Sequence, residues 1–230
     1  TNMFFSPYWL LFALPGLLLA LWAQSRVKGA YNKYSQVRTA RGVTGAQVAR
    51  SLLDAEGLHN VKIEQGKGRL SDHYDPRSKV LRLSPDVYGQ ASVAAAGVAA
   101  HEMGHALQDA KGFFPLRIRS AFVPAAQFGS TIAPWLFIAG FLLRMTALAW
   151  VGVLLFGAAV VFTLITLPVE LDASKRAKKL LVSNGILIGG EIKGVEKVLD
   201  AAALTYVAAA VAAIGQLIYY VFLLTGGRRR

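Results

Sequence analysis

The stretch VAAHEMGHALQ, Val98 to Gln108, places two histidines and a glutamate within five residues of an alanine-rich apolar run. The surrounding residues 91–110 contain no proline and many alanines, which predicts a helix. Side chains four residues apart lie on one face of a helix, so His101 and His105 can present two imidazoles to a single ion. Glu102 lies on an adjacent face, where its carboxylate can take a proton from water during attack on a carbonyl.

The composition limits which metal this motif can hold. The chain has four histidines and no cysteine, so imidazoles and carboxylates must supply the ligands, and zinc is the ion that this set favours. An exposed polar stripe is the alternative interpretation. Buried imidazole and carboxylate groups are costly without a partner, and a metal would provide one. The flanking residues favour burial, because they are uncharged or apolar: Val98, Ala99, Met103, Ala106 and Leu107.

A third protein ligand must come from elsewhere, since catalytic zinc sites usually combine three protein groups with a water. Glu170 is the favoured candidate because it follows an apolar run in TLPVELDASKRA, where a carboxylate is costly unless a cation meets it. His59 and His73, the two remaining imidazoles, lie among turn residues and are the alternatives.

The residues after Glu170 leave two points open. The alternative for Glu170 is an interfacial ion pair with Lys175 or Arg176. Asp172 is expected either to orient a ligating histidine or to act as a ligand in place of Glu170.

The hydrophobicity of the whole chain predicts a mainly α-helical integral membrane protein. Of its 230 residues, 54% are hydrophobic and 17% are charged, and the mean hydropathy is +0.43. Four apolar runs are long enough to cross ~30 Å of hydrocarbon as helices. They cover approximately residues 4–23, 122–143, 146–167 and 201–224. Arg144 and Met145 alone separate the second run from the third, which predicts a tight helical hairpin.

Two of these runs have an alternative interpretation. A cleaved signal peptide would begin with a basic leader, which TNMFFSPYW lacks, so we expect the first run to be a retained helix. Residues 201–213 are rich in alanine, and a buried bundle helix that continues into a span is the alternative there.

The runs divide the chain into five segments. We predict a first transmembrane helix (1–24), an α+β segment with the HExxH helix (25–121), a transmembrane hairpin (122–169), a segment with the third metal ligand (170–200) and a C-terminal transmembrane helix (201–230).

The charges predict the orientation of these segments. The net charge of +12 follows the ends of the apolar runs, which argues against nucleic acid as a partner and for membrane lipid. By the positive-inside rule, we expect segments 25–121 and 170–200 to face the cytoplasm, and the active site that they carry is then cytoplasmic. The triplet Arg228–Arg230 opposes this topology. The cytoplasmic basic residues are Arg26, Lys28, Lys33, Arg38, Arg41, Lys175, Arg176, Lys178 and Lys179.

Segment 25–121 has the pattern of a small α+β fold. TGAQVARSLLDA, residues 44–55, predicts a helix with Thr44 as its N-cap and Gly57 as its stop. Residues 61–64 and 79–83 predict strands, and turn residues surround 69–74.

Four stretches resemble the bacterial YugP-type membrane zinc metallopeptidases, namely SDHYDPRSKVLRLS, VAAHEMGHALQ, LPVELDAS and AALTYVAAA. The resemblance covers nearly the whole chain. That family is HExxH-type, gluzincin-like and distantly similar to the HtpX and Ste24 proteases. The resemblance implies a zincin-like fold for the cytoplasmic segment, His101 and His105 as zinc ligands, Glu102 as catalytic acid and base, and Glu170 as third ligand. Gluzincins often carry an aspartate four residues after this glutamate, whereas this chain has Ser174 there.

The resemblance further implies Zn²⁺-dependent hydrolysis of a peptide or membrane-protein substrate. Residues 71–75 are then expected to form a strand edge along which an extended peptide pairs, with a plain hairpin as the alternative. An oxyanion stabiliser is required, and Tyr206 and His73 are the candidates. Two other functions stay open, a membrane scaffold with a structural zinc site and a zinc hydrolase of non-peptide amides; the oligomeric state is also open.

Overall fold

The computed structural model describes residues 7–68 and 71–226. The predictions for the start of the first apolar run and for Arg228–Arg230 therefore lie outside the described residues, as do residues 69 and 70 of the turn-bounded stretch 69–74. Within these described residues, seven helices and three strands follow in the order α1 Pro7–Ser35, α2 Gly45–Ala55, β1 Lys62–Gln65, β2 His73–Asp75, β3 Val80–Leu83, α3 Pro85–Gly89, α4 Val93–Ala110, α5 Phe114–Leu142, α6 Thr146–Ser183 and α7 Glu191–Gly226.

These elements form two compact units. We call the first the apolar unit, which comprises Thr1–Ala23, Ile118–Leu167 and Thr205–Arg230. The second, the α+β unit, comprises Gln24–Arg117 and Pro168–Leu204. The long helices α1, α5, α6 and α7 each contribute residues to both units.

The apolar unit is built from long hydrophobic helices. α1, α5, α6 and α7 are each long and apolar enough to cross a membrane, as the sequence predicts. α5 and α6 form the predicted hairpin, with Arg144 at a positive φ of 57° in the turn between them. A Cβ atom added at Gly140 would lie 2.3 Å from the backbone nitrogen of Ala149, so the two helices touch by their backbones.

α7 packs closely against α1 and α5 in the same unit. A Cβ atom at Gly215 would lie 2.3 Å from the carbonyl oxygen of Phe12. The rings of Phe137 and Tyr220 stack with centroids 3.9 Å apart. Small residues and stacked rings thus hold these helices together, as is common where lipid provides no hydrophobic driving force between them.

The α+β unit contains a three-stranded sheet in the order β1-β3-β2. β3 is the central strand; it pairs in parallel with β1 and antiparallel with β2, so β2 is an edge strand. The predicted helix at 44–55 is confirmed as α2, and its N-cap Thr44 forms a capping box with Gln47. Leu52, Leu53 and Leu81 are fully buried in the core that α2, the sheet and α4 share.

The chain around residues 170–200 is more helical than a polar connection suggests. α6 continues through Pro168 to Ser183, and α7 already begins at Glu191. The reason is a periodic apolar face within a basic segment, since Val169, Ala173, Ala177 and Leu181 recur every four residues and are fully buried. This extension carries the residues after Pro168 into the α+β unit.

Candidate metal centre

Helix α4 carries the HExxH residues and lies directly against the second half of α6. Its N-cap, Ser92, accepts a hydrogen bond from the backbone of Ala95. Gly104 permits the close approach to α6, because a Cβ atom there would lie 2.7 Å from the carbonyl oxygen of Ala173. The two histidines on either side of Gly104 therefore face the residues around Ala173.

Three potential ligands meet between these helices. His101, His105 and Glu170 each offer a donor atom, and all three atoms lie within 4.8 Å of one another. Nε2 of His101 lies 3.1 Å from Oε2 of Glu170, and Nε2 of His105 lies 3.5 Å from the same oxygen. The side chains are largely buried, with exposed fractions of 14% for His101 and 3% for Glu170.

The donor atoms fit a zinc ion in chemistry and in spacing. Two imidazoles and a glutamate form the donor set of one common class of catalytic zinc site. Zinc bonds of roughly 2.0–2.2 Å in a tetrahedron set neighbouring ligand atoms about 3.3 Å apart. The two separations between nitrogen and oxygen here are 3.1 and 3.5 Å, close to that value. All three donor atoms lie within 4.8 Å of one another, so an ion would draw the two imidazoles and the carboxylate together.

The opposite nitrogen of each imidazole also has a protein partner. Nδ1 of His101 lies 3.1 Å from Oγ of Ser174. Nδ1 of His105 lies 3.0 Å from Oε1 of Gln108, a side chain with 0% exposure. Such contacts fix the ring orientation of ligating histidines. Sequence reasoning gave no role to Gln108 or Ser174, although Gln108 follows His105 by three residues and thus shares its helix face.

The electrostatics of the site suit a cation. Burial lowers the pKa of His105, but the hydrogen bond to Glu170 and the charges of Glu102 and Glu170 outweigh it, and the net pKa is raised. The pocket around this ring therefore stabilises positive charge. Glu102 itself is 8% exposed and follows His101 directly on α4.

The other predicted residues lie in different places. Asp172 accepts a hydrogen bond from Nε2 of Gln108 at 2.8 Å and pairs with Arg176, so it contacts the partner of a histidine. His59 pairs with Asp54 and is 73% exposed. His73 is exposed on the edge strand β2, with Nδ1 2.7 Å from the backbone oxygen of Ser71. Tyr206 belongs to the apolar unit.

Comparison with known proteins identifies the family to which the chain belongs. The model of a family described as putative neutral zinc metallopeptidases matches residues 9–225. A Bacillus subtilis (strain 168) protein described as putative membrane protease YugP is 47% identical over 215 residues, which cover 94% of this chain and 96% of the relative. No solved structure matches the chain. The chain belongs to the zinc metallopeptidase family that this model describes.

Proposed function

We propose that this chain is a membrane-embedded zinc endopeptidase that hydrolyses peptide bonds at the cytoplasmic side. The observation that carries the proposal is the convergence of Nε2 of His101 and of His105 on one oxygen of Glu170, with Glu102 on the same helix as the two rings. Among residues 7–68 and 71–226, the group of side chains that could hold a metal has three members. Catalytic zinc sites likewise use three protein ligands and keep one position for water.

The protein groups divide the work of hydrolysis between them. His101, His105 and Glu170 would hold the zinc, which when bound supplies a Lewis acid that polarises the scissile carbonyl and acidifies a water. Glu102 accepts a proton from the attacking water and returns it to the leaving nitrogen. The largely buried setting of Glu102 strengthens its electrostatic effect, because little solvent screens the carboxylate.

The edge strand β2 supports a peptide as the substrate. β2 pairs with β3 on one side, and within the described part of the sheet it has no strand on the other. Tyr74 of β2 donates a hydrogen bond to Asp109 of α4 at 2.7 Å, which ties this edge to the helix that carries the histidines. Burial and the neighbouring Asp109 raise the pKa of Tyr74, so its hydroxyl stays protonated as a donor. His73 on β2 and Tyr206 stay candidates for oxyanion stabilisation.

The substitution Glu102→Gln tests the proposal, because it keeps the side-chain volume and removes the base. We expect the variant to retain one equivalent of zinc and to lose cleavage of an unfolded, fluorescently labelled protein by ~10²–10⁴-fold. Zinc content by mass spectrometry and initial rates in detergent are the measurements. Cleavage at the wild-type rate would contradict the peptidase mechanism.

A further inference from the structure

The two imidazoles of the metal centre differ in the groups that hold their Nδ1 atoms. His101 faces the hydroxyl of Ser174, which can donate or accept a hydrogen bond and so accommodates either tautomer. His105 faces the side-chain amide of Gln108, whose oxygen only accepts. The tautomer of His105 therefore depends on which end of the amide points towards it.

The surroundings of Gln108 determine that orientation. Its Nε2 lies 2.8 Å from the carbonyl oxygen of Val169 and 2.8 Å from Oδ2 of Asp172. Both are acceptors, and Arg176 pairs with the same Oδ2 of Asp172 and holds this carboxylate in place. A reversed amide would place Oε1 against these two acceptors, at a cost typical of unsatisfied buried groups.

We infer that Gln108 is a positioning residue that fixes the tautomer and the ring plane of His105, and that Asp172 and Arg176 act on the metal centre through it. With Oε1 turned towards the ring at 3.0 Å, Nδ1 must carry the proton, and Nε2 is left as the atom that can ligate. The inference rests on the proposed zinc site and adds to it a hydrogen-bonded path from Arg176 to a ligand. α6 thus supplies both Glu170 and the groups that orient Gln108.

The main test measures metal binding, because binding does not require turnover. The full-length protein in detergent is stripped of metal and titrated with Zn²⁺ against a chromophoric chelator, and Co²⁺ then reports the ligand geometry by its visible absorption. Gln108→Met keeps the approximate volume and removes both polar ends. We expect zinc affinity to fall ~10–100-fold, the range for partners of ligating histidines, and the cobalt spectrum to change. Wild-type affinity with an unchanged spectrum would overturn the inference.

A second pair of variants tests the same inference if Gln108→Met folds poorly. Asp172→Asn retains an oxygen that can accept from Nε2 of Gln108, whereas Asp172→Ala removes it. We expect Asp172→Ala to weaken zinc binding clearly and Asp172→Asn to restore most of the affinity. Equal affinity in the two variants would contradict a path through this hydrogen bond.

Asp109→Ala is the matched control for a merely structural effect. Asp109 follows Gln108 on α4 and loses two partners on substitution, Tyr74 and Lys79, which do not touch the histidines. We expect lower thermal stability with unchanged zinc affinity, and an equal loss of affinity here would overturn the inference. A wild-type protein that binds no zinc would refute the proposed function as well, whereas full zinc binding by Gln108→Met refutes only the positioning role.

Discussion

A single carboxylate serves both imidazoles of the metal centre. The side chain of Glu170 is only 3% exposed, and an ionised carboxylate at such a depth is costly unless cationic or hydrogen-bonding groups surround it. The two Nε2 atoms provide such groups in the protein alone, and a zinc ion would provide more. Arg176, one of the alternative partners that the sequence allows for Glu170, pairs with Asp172.

Substituting Glu170 should therefore weaken zinc binding more than substituting any group that only orients a ligand. Glu170→Gln keeps the shape but removes the negative charge, so we expect zinc affinity to fall by more than the ~10–100-fold typical of indirect partners. Chelator competition on the purified protein measures it. Glu64→Gln, on β1 and paired with Arg82, is the control and should bind zinc as the wild type does. Unchanged affinity in Glu170→Gln would remove it from the ligand set.

The sequence predicts single residues of the site unevenly. His101, Glu102 and His105 are recognisable because their spacing is local to one helix. Gln108 and Ser174 lie 61 and 73 residues from their partners Val169 and His101, and nothing in the local pattern predicts such pairs. Ser174 lies four residues after Glu170, and its hydroxyl is 3.1 Å from Nδ1 of His101.

The approach of α4 to α6 decides whether the ligands can meet. His101 and His105 come from one helix and Glu170 from the other, and Gly104 allows the backbones to touch. A side chain at position 104 would push α6 away and move Glu170 from both rings. The metal centre thus depends on one small residue that is not itself a ligand.

The substitution Gly104→Ala tests this dependence. We expect the added methyl group to lower the free energy of unfolding by about 1–3 kcal/mol, as overpacking does, and to weaken zinc binding. Thermal melts followed by circular dichroism and zinc titrations are the measurements. Gly157→Ala is the matched control, because a Cβ atom in that helix meets nothing within 4 Å and alanine favours helices. Native zinc affinity in Gly104→Ala would contradict the role assigned to this contact.

The elements were predictable where their signals are local. The N-cap of α2, the alternating residues 79–83 that contain β3 and the alanine-rich α4 all follow from short stretches. The parallel pairing of β1 with β3 did not follow, because strand order depends on long-range packing, whereas the edge position of β2 was expected only from the resemblance. The lengths of α6 and α7 were underestimated from the apolar runs. Basic residues indicate which side of a membrane a segment faces, but they do not end a helix.

In the whole molecule, the division into two units follows the distribution of polar residues along the helices that belong to both units. α6 is apolar as far as Leu167 and carries Glu170, Asp172 and a basic stretch beyond it. One continuous helix therefore serves as a candidate membrane span and as part of the metal centre.

The orientation in the membrane can be tested directly, since the chain has no cysteine of its own. His59→Cys places a thiol on a side chain of the α+β unit that is 73% exposed. Met145→Cys places one in the turn between α5 and α6, where Met145 is 53% exposed and the topogenic Arg144 is kept. By the positive-inside rule we expect a membrane-impermeant maleimide to label position 145 in right-side-out vesicles and position 59 only in inside-out ones. The reverse pattern would place the candidate metal centre on the outer side and refute a cytoplasmic peptidase.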